Sequence, residues 1–280
     1  MIGAASAPAS SGNLGPGFDT LALALGLRCT VTAELAESMT ITENGSTKRL
    51  DDDDMIAMAV RRAAERPMHL TIRNEIPRAR GLGSSSAVTA AAAAAALKAT
   101  SADGGREFVF SIVDELEGHA DNAAAAVYGG FVAATSEGIQ RLHLHESLKV
   151  IVGIPDNHLK TADARAALPP EVSRATAARS LARLSFLIEG LRSANPNVLS
   201  HAAGDELHEQ PRAHLSPVTG QLMEAAVHAG AIHACWSGAG PTALAFGTSE
   251  TAGRIIGAMS DVLGLTGEVL SLEVDYEGLK

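Results

Sequence analysis

The stretch Pro77-Arg78-Ala79-Arg80-Gly81-Leu82-Gly83-Ser84-Ser85-Ser86 runs straight into an alanine-rich segment, Ala87 to Thr100. Two glycines allow a tight turn and let backbone approach a ligand closely. Three serines supply N-cap oxygens and hydroxyls, and a helix behind them aims free N–H groups and partial positive charge at an anion. This is the pattern of a phosphate-binding loop opening a helix. One serine would suffice for an ordinary cap, and glycine-serine loops before helices are common, so these residues alone admit both a phosphate loop and an overdetermined N-cap.

The rest of the chain narrows the class. At 280 residues it exceeds the ~100–200 typical of one domain, so two domains, or one large one, with a sizeable core are expected. The net charge is −10 and the pI about 5.4. With no basic cluster there is no electrostatic footprint for nucleic acid or an anionic membrane, so small molecules are the expected partners. The two cysteines, Cys29 and Cys235, are too few for a disulfide framework and suit a reducing cytosol. Met1 to Gly12 lacks the charged start and apolar core of a signal peptide, and the alanine run is too short and weakly apolar to span a bilayer. The expectation is a soluble, cytoplasmic protein. Aromatics make up 3% of residues, so the core must come from Ala, Val, Leu and Ile. Asp51 to Asp54 reads as a solvated loop capping the next helix rather than a cation site, because adjacent carboxylates repel and no calcium-loop spacing follows.

Apolar and β-branched runs predict strands at Leu27–Leu35, Met39–Thr42, His69–Ile72, Phe131–Ala134 and Ile139–Leu144. Helical periodicity fits Asp54–Glu65, Ser85–Thr100 and Arg106–Glu117. Strands cluster before and after the helices, which predicts an α+β half rather than a doubly wound sheet. A second half starts near Lys149 with the apolar run Val150 to Pro155. It continues with helices at Ser173–Leu191, Asn197–Glu209 and Pro217–Ala229, strands at Ile232–Ser237 and Ala243–Phe246, a helix at Glu250–Leu263 and a last strand at Gly267–Val274. Domains of residues 1–148 and 149–280 follow from this division.

Four motifs in order resemble those of the GHMP kinases, small-molecule kinases that include galactokinases, homoserine kinases and mevalonate kinases. Pro77 to Ala87 is similar to their central loop. Ala7-Pro8-Ala9-Ser10-Ser11-Gly12-Asn13-Leu14-Gly15-Pro16-Gly17-Phe18-Asp19-Thr20 is similar to the opening of the homoserine kinases, and Glu117-Gly118-His119-Ala120-Asp121-Asn122, running on to Gly130-Phe131, to their middle motif. Ser237-Gly238-Ala239-Gly240-Pro241-Thr242 resembles the third GHMP motif. The resemblance spans nearly the whole chain and implies a two-domain α+β fold with a ferredoxin-like C-terminal half. It further implies ATP- and Mg2+-dependent phosphorylation of the side-chain hydroxyl of L-homoserine, on the route to threonine. Many members are dimers, which makes a homodimer the implied assembly.

Carried over position by position, the resemblance places Pro77, Arg80, Gly81, Leu82, Gly83, Ser84, Ser85, Ser86, Gly238 and Gly240 at the nucleotide. Ser85 and Glu117 are the implied magnesium ligands, with Glu115 as the alternative carboxylate. Asn13, Asp19, His119, Arg183 and Arg212 are implied at the acceptor; a guanidinium suits its carboxylate. Asp121 and Asn122 join Asp19 as residues near the transferred group. Without the motifs, each of these reads more simply: Asn13 to Asp19 as a polar turn, Glu115 and Glu117 as a solvated helix end, the arginines as surface charge and the late glycines as a hairpin. Departures from the family are Asp54-Met55 where an Asn-Leu pair is common near the nucleoside, the short spacing from Glu117 to His119, and Thr176 to Ser180 in place of an Asp-Ala-Val-Phe-Asn-like helix start. Two other readings fit the motifs: a kinase for shikimate or threonine, and a catalytically inactive GHMP-fold ligand sensor.

Overall fold

The computed structural model describes residues 1–280. The first half contains β1 (Ile2–Gly12), β2 (Leu21–Leu35), β3 (Thr40–Glu43), β4 (Ser46–Arg49), α1 (Met55–Ala64), β5 (Met68–Asn74), α2 (Ser84–Thr100), α3 (Arg106–Glu117), α4 (Ala120–Tyr128), β6 (Phe131–Thr135) and β7 (Gly138–Leu142). Its strands form one sheet in the order β4-β3-β5-β2-β6-β7, with β1 paired to β2. β2 is the spine: it runs antiparallel to β1 over most of its length, to β5 at one end and to β6 at the other. α2 is almost entirely buried on this layer, with alanines on every side. A helix without bulky side chains fits between sheet and neighbouring helices, which accounts for the alanine-rich, aromatic-poor composition.

The second half adds β8 (Lys149–Pro155), α5 (Thr161–Ala166), α6 (Arg174–Ser193), α7 (Pro196–Leu199), α8 (Glu209–Arg212), α9 (Pro217–His228), β9 (His233–Trp236), β10 (Ala243–Gly247), α10 (Ala252–Leu263) and β11 (Gly267–Leu272). The sheet order β11-β8-β10-β9 is fully antiparallel, the ferredoxin-like arrangement with α5 to α8 inserted before α9. Ile151 of β8 packs with Leu222, Ile255 and Met259 under α9 and α10. Its neighbours Val150, Val152 and Ile154 face the other way, into the core shared with the first half. Both faces of β8 are therefore covered, and this is why it reads as an unbroken apolar run rather than an alternating one. Residues 273–280 then leave the second sheet for the first: Val274 bridges Leu25, and Lys280 exchanges backbone hydrogen bonds with Ser6. No helix is long and apolar enough to cross a membrane.

One predicted helix fails. Asn197–Glu209 is helical only at α7, and the chain then loops to α8. Gly204 sits at φ +84°, and the Asp205 carboxylate accepts from the His208 and Glu209 N–H groups. A side chain that bonds its own backbone in this way competes with helix continuation. β1 and α4 went unpredicted because small residues, Ala and Ser above all, mask the periodicity of both.

Candidate active site

Both halves contribute to a cleft of about 290 Å³ between the end of β1, the loop before α2, the start of α4, α5 and the turn after β9. Its anion-binding end is the loop before α2. Gly83 is the N-cap at φ +62°, no side chain caps the helix, and the first helical backbone bond runs from the Ala87 N–H to the Gly83 carbonyl. The leading N–H groups of α2 thus remain available to a ligand, reinforced by the helix dipole. A Cβ on Gly83 would lie 2.0 Å from Ser10 Oγ, and one on Gly81, at φ +77°, 2.2 Å from the Ser237 carbonyl oxygen. The loop is held from the second half: Ser237 Oγ donates to the Gly81 carbonyl at 2.7 Å, and the Thr242 N–H to the Arg80 carbonyl.

The other end is built on the turn after β1. Asn13, Leu14 and Asp19 adopt left-handed backbone at φ between 49° and 68°, a strained conformation for residues with a Cβ that needs surrounding structure to hold it. Asn13 supplies it, donating from Nδ2 to the Gly238 carbonyl at 2.9 Å and accepting the Asp19 N–H on Oδ1 at 3.0 Å. Asp19 is gripped on both oxygens by Arg165, at 2.9 and 2.7 Å. Arg212, only 2% exposed, donates to the Ala164 carbonyl, to His208 Nδ1 and, at 3.4 Å, to the Gly238 carbonyl. Both guanidiniums lie over the Phe18 ring, 5.8 and 5.6 Å from its centroid, where the ring's negative face offsets their mutual repulsion. Burial and the nearby Arg165 charge pull Arg212 down to about 10, so it stays cationic at neutral pH.

Between the two ends, His119 Nδ1 bonds Asp121 Oδ1 at 2.9 Å, and the same oxygen accepts from the Asn122 N–H and Nδ2. Asn122 Oδ1 takes the Ser10 hydroxyl, and Glu117 Oε1 takes the Ser86 hydroxyl at 3.2 Å. Burial works against the His119 cation, but the Asp121 hydrogen bond and charge, with Glu117, outweigh it and raise its pKa. The stabilisation carried by protonated His119 is therefore full below the ordinary histidine value of about 6.5 and is lost as pH rises through the raised folded value. In a proton NMR titration, His119 should have a midpoint above that ordinary value, and Asp121→Asn should move it down. A midpoint indifferent to the substitution would contradict the pairing.

Most of the residues singled out in the sequence line this cleft: Asn13, Asp19, Pro77, Gly81 to Ser86, Glu117, His119, Asp121, Asn122, Arg212 and Gly238. Four others do not meet there. Arg183 pairs with Glu206 at 2.7 Å. Glu115 pairs with Arg62, Arg80 turns to the Pro155 carbonyl, and Gly240 is packed against the Trp236 ring. Ser85 is exposed with its hydroxyl toward Met55 Sδ at 3.5 Å, so the serine beside Glu117 is Ser86. Arg165, Lys160 and Thr161 line the cleft unforeseen; the sequence signal was Lys160-Thr161-Ala162-Asp163-Ala164-Arg165, a segment with four polar residues a few positions after β8. A second cavity of about 240 Å³ lies across the loop, bounded by Asp54, Met55, Arg78, Ser85 and Val88 among others. Its half-apolar lining has room for part of a nucleoside.

Comparison with known proteins identifies the family and the fold. The family described as GHMP kinases N terminal domain matches residues 53–130, and GHMP kinases C terminal matches residues 187–264. Homoserine kinase of Desulfitobacterium hafniense is 36% identical, with 97% of each chain covered. Homoserine kinase of Thermus thermophilus is 38% identical over 95% of this chain and 94% of its own. The crystal structure of homoserine kinase from Cytophaga hutchinsonii superposes with a TM-score of 0.89 at 25% identity, covering 100% of this chain and 96% of that one.

Proposed function

The chain belongs to the homoserine kinases of the GHMP kinase family, and on that premise we propose that it transfers the terminal phosphoryl group of ATP to the side-chain hydroxyl of L-homoserine, giving O-phospho-L-homoserine. The observation that carries the reading is a single cleft with an uncapped helix N-terminus at one end and the Asp19, Arg165 and Arg212 charges at the other. Such an arrangement suits an anionic phosphate donor facing a zwitterionic acceptor.

The N–H groups at the start of α2 receive phosphate oxygens, and Gly81 and Gly83 keep that surface free of side chains. Glu117, with the hydroxyl of Ser86 or Ser85, would offer the one or two protein oxygens magnesium ordinarily takes, and an ion held there would supply positive charge against the transferring group. Asp19 accepts from the acceptor's ammonium, and Arg165 and Arg212 receive its carboxylate. Asp121 Oδ1 is already occupied by three donors, so Asp121 orients His119 and Asn122. The work is positioning and charge stabilisation, which is most of what phosphoryl transfer needs.

A coupled ADP-release assay tests this directly. L-homoserine and magnesium together should drive turnover well above that with L-threonine, shikimate or mevalonate. Equal or faster turnover with shikimate or threonine would move the enzyme to that acceptor, and ligand binding without turnover on any of them would favour the inactive sensor.

A further inference from the structure

His208, four residues before Arg212, was not among the residues the sequence assigned to the cleft, yet it is fully buried between the acceptor turn and the acceptor arginine. Its Nε2 is 2.8 Å from the Gly15 carbonyl and its Nδ1 3.2 Å from Arg212 Nη1. Its ring stacks on Phe18, with centroids 5.4 Å apart and planes 22° from parallel. Arginine can only donate, so Nδ1 accepts and Nε2 carries the hydrogen to Gly15, which fixes a neutral imidazole in one tautomer. Burial pulls the His208 pKa down in agreement. The residue is itself anchored, because Asp205 Oδ2 accepts the His208 N–H at 2.7 Å.

We propose that His208 is the positioning residue of the acceptor site: standing on Phe18, it bridges the Gly15 carbonyl and the Arg212 guanidinium, and so fixes the arginine relative to the turn that carries Asp19. An arginine has several rotatable bonds and a single carboxylate to meet, so an acceptor for one of its N–H groups chooses which edge of the guanidinium faces the ligand. The Ala164 carbonyl takes Nε; His208, with the Gly238 carbonyl at the longer 3.4 Å, takes Nη1 and leaves Nη2 for the cleft. The inference rests on reading the cleft as a homoserine site.

The test is calorimetric binding and steady-state kinetics on wild type, His208→Phe and His208→Asn, with two acceptors: L-homoserine and 3-amino-1-propanol, which is homoserine without its carboxylate. His208→Phe keeps a ring over Phe18 but offers neither bond. Losing one hydrogen bond to a charged group should weaken homoserine roughly tenfold or more in Kd and KM, with ATP KM unchanged and no further loss on 3-amino-1-propanol. His208→Asn, whose Oδ1 can stand in for Nδ1, should recover part of the homoserine affinity and carries the same test should the phenylalanine variant fail to fold. Unchanged homoserine affinity, or equal losses on both acceptors, would overturn the proposal and leave His208 as core packing. A wild type that binds homoserine without turning it over would instead defeat the functional reading, while the affinities of the variants still decide the role of His208.

Discussion

Gly81→Ala is expected to remove phosphoryl transfer almost completely while leaving the protein folded. The new methyl would lie 2.2 Å from the Ser237 carbonyl oxygen and 2.8 Å from the Gly240 nitrogen, both backbone atoms, at a residue whose φ is +77°. A flexible side chain could swing away; a strand-end carbonyl cannot. The loop must therefore leave the 237–242 turn, breaking the Ser237 hydroxyl bond to the Gly81 carbonyl and displacing the N–H groups that meet phosphate. Loss of one preorganised donor to a transition-state oxygen costs about 10²–10³ in kcat, and here several donors share one loop. Turnover should fall at least about a thousandfold on that scale. The backbone penalty, of order 1–3 kcal/mol, is small against the about 5–15 kcal/mol of a typical domain, so far-UV circular dichroism should be unchanged and Tm lowered by only a few degrees. Gly83→Val is the companion: its Cβ falls 2.0 Å from Ser10 Oγ, a hydroxyl that also orients Asn122. Wild-type turnover in either variant would reduce the loop to a capped helix.

The loop was legible from the sequence because its chemistry is local: glycines, serines and an N-terminus lie within ten residues. The same holds for the strand β8 and for α2, where composition alone marks burial. The acceptor end was only half legible, because it is assembled from parts far apart in the chain. Asp19 and Arg165 are 146 residues apart, and nothing near Arg165 states that it reaches a turn after β1. Arg183 looked equivalent as a cation on a helix; in the fold it stands on α6 and is neutralised by Glu206, which it shares with Arg179. Arg212 was recognisable through the family resemblance, but its immersion was not, since burial of an arginine depends on carbonyls at Ala164 and Gly238 that only the tertiary structure supplies. The serine beside Glu117 is a similar case: neighbouring positions on a helix point about 100° apart, so sequence order could not choose between Ser85 and Ser86.

Arg165→Leu should raise the homoserine KM strongly and leave ATP affinity untouched. Without ligand the guanidinium is paired through both Nη atoms with Asp19, and both side chains remain about one-third exposed, at 38% and 33%. A zwitterionic amino acid can enter such a pair with its ammonium toward Asp19 and its carboxylate toward Arg165, exchanging one bidentate contact for two. Removing the arginine takes away the carboxylate partner and leaves Asp19 as a bare negative charge facing it. A charge-assisted hydrogen bond is worth about 1.5–3 kcal/mol, roughly ten- to 150-fold in binding at 1.4 kcal/mol per decade. Lysine should restore only part of this, because it keeps the charge and loses the planar fork. Because Arg165 is part-exposed, Tm should hardly move. Arg212→Leu should shift KM in the same direction but also lower Tm, since its burial leaves the Ala164 carbonyl and His208 without their donor. Arg183→Ala, remote from the cleft, should leave KM alone. Asp19→Asn combined with Arg165→Leu should cost much less than the sum of the single changes, since residues acting through one ligand contact are not additive. If Arg165→Leu weakens ATP instead while homoserine KM stays put, the arginine serves the phosphate end of the cleft and the acceptor lies the other way round.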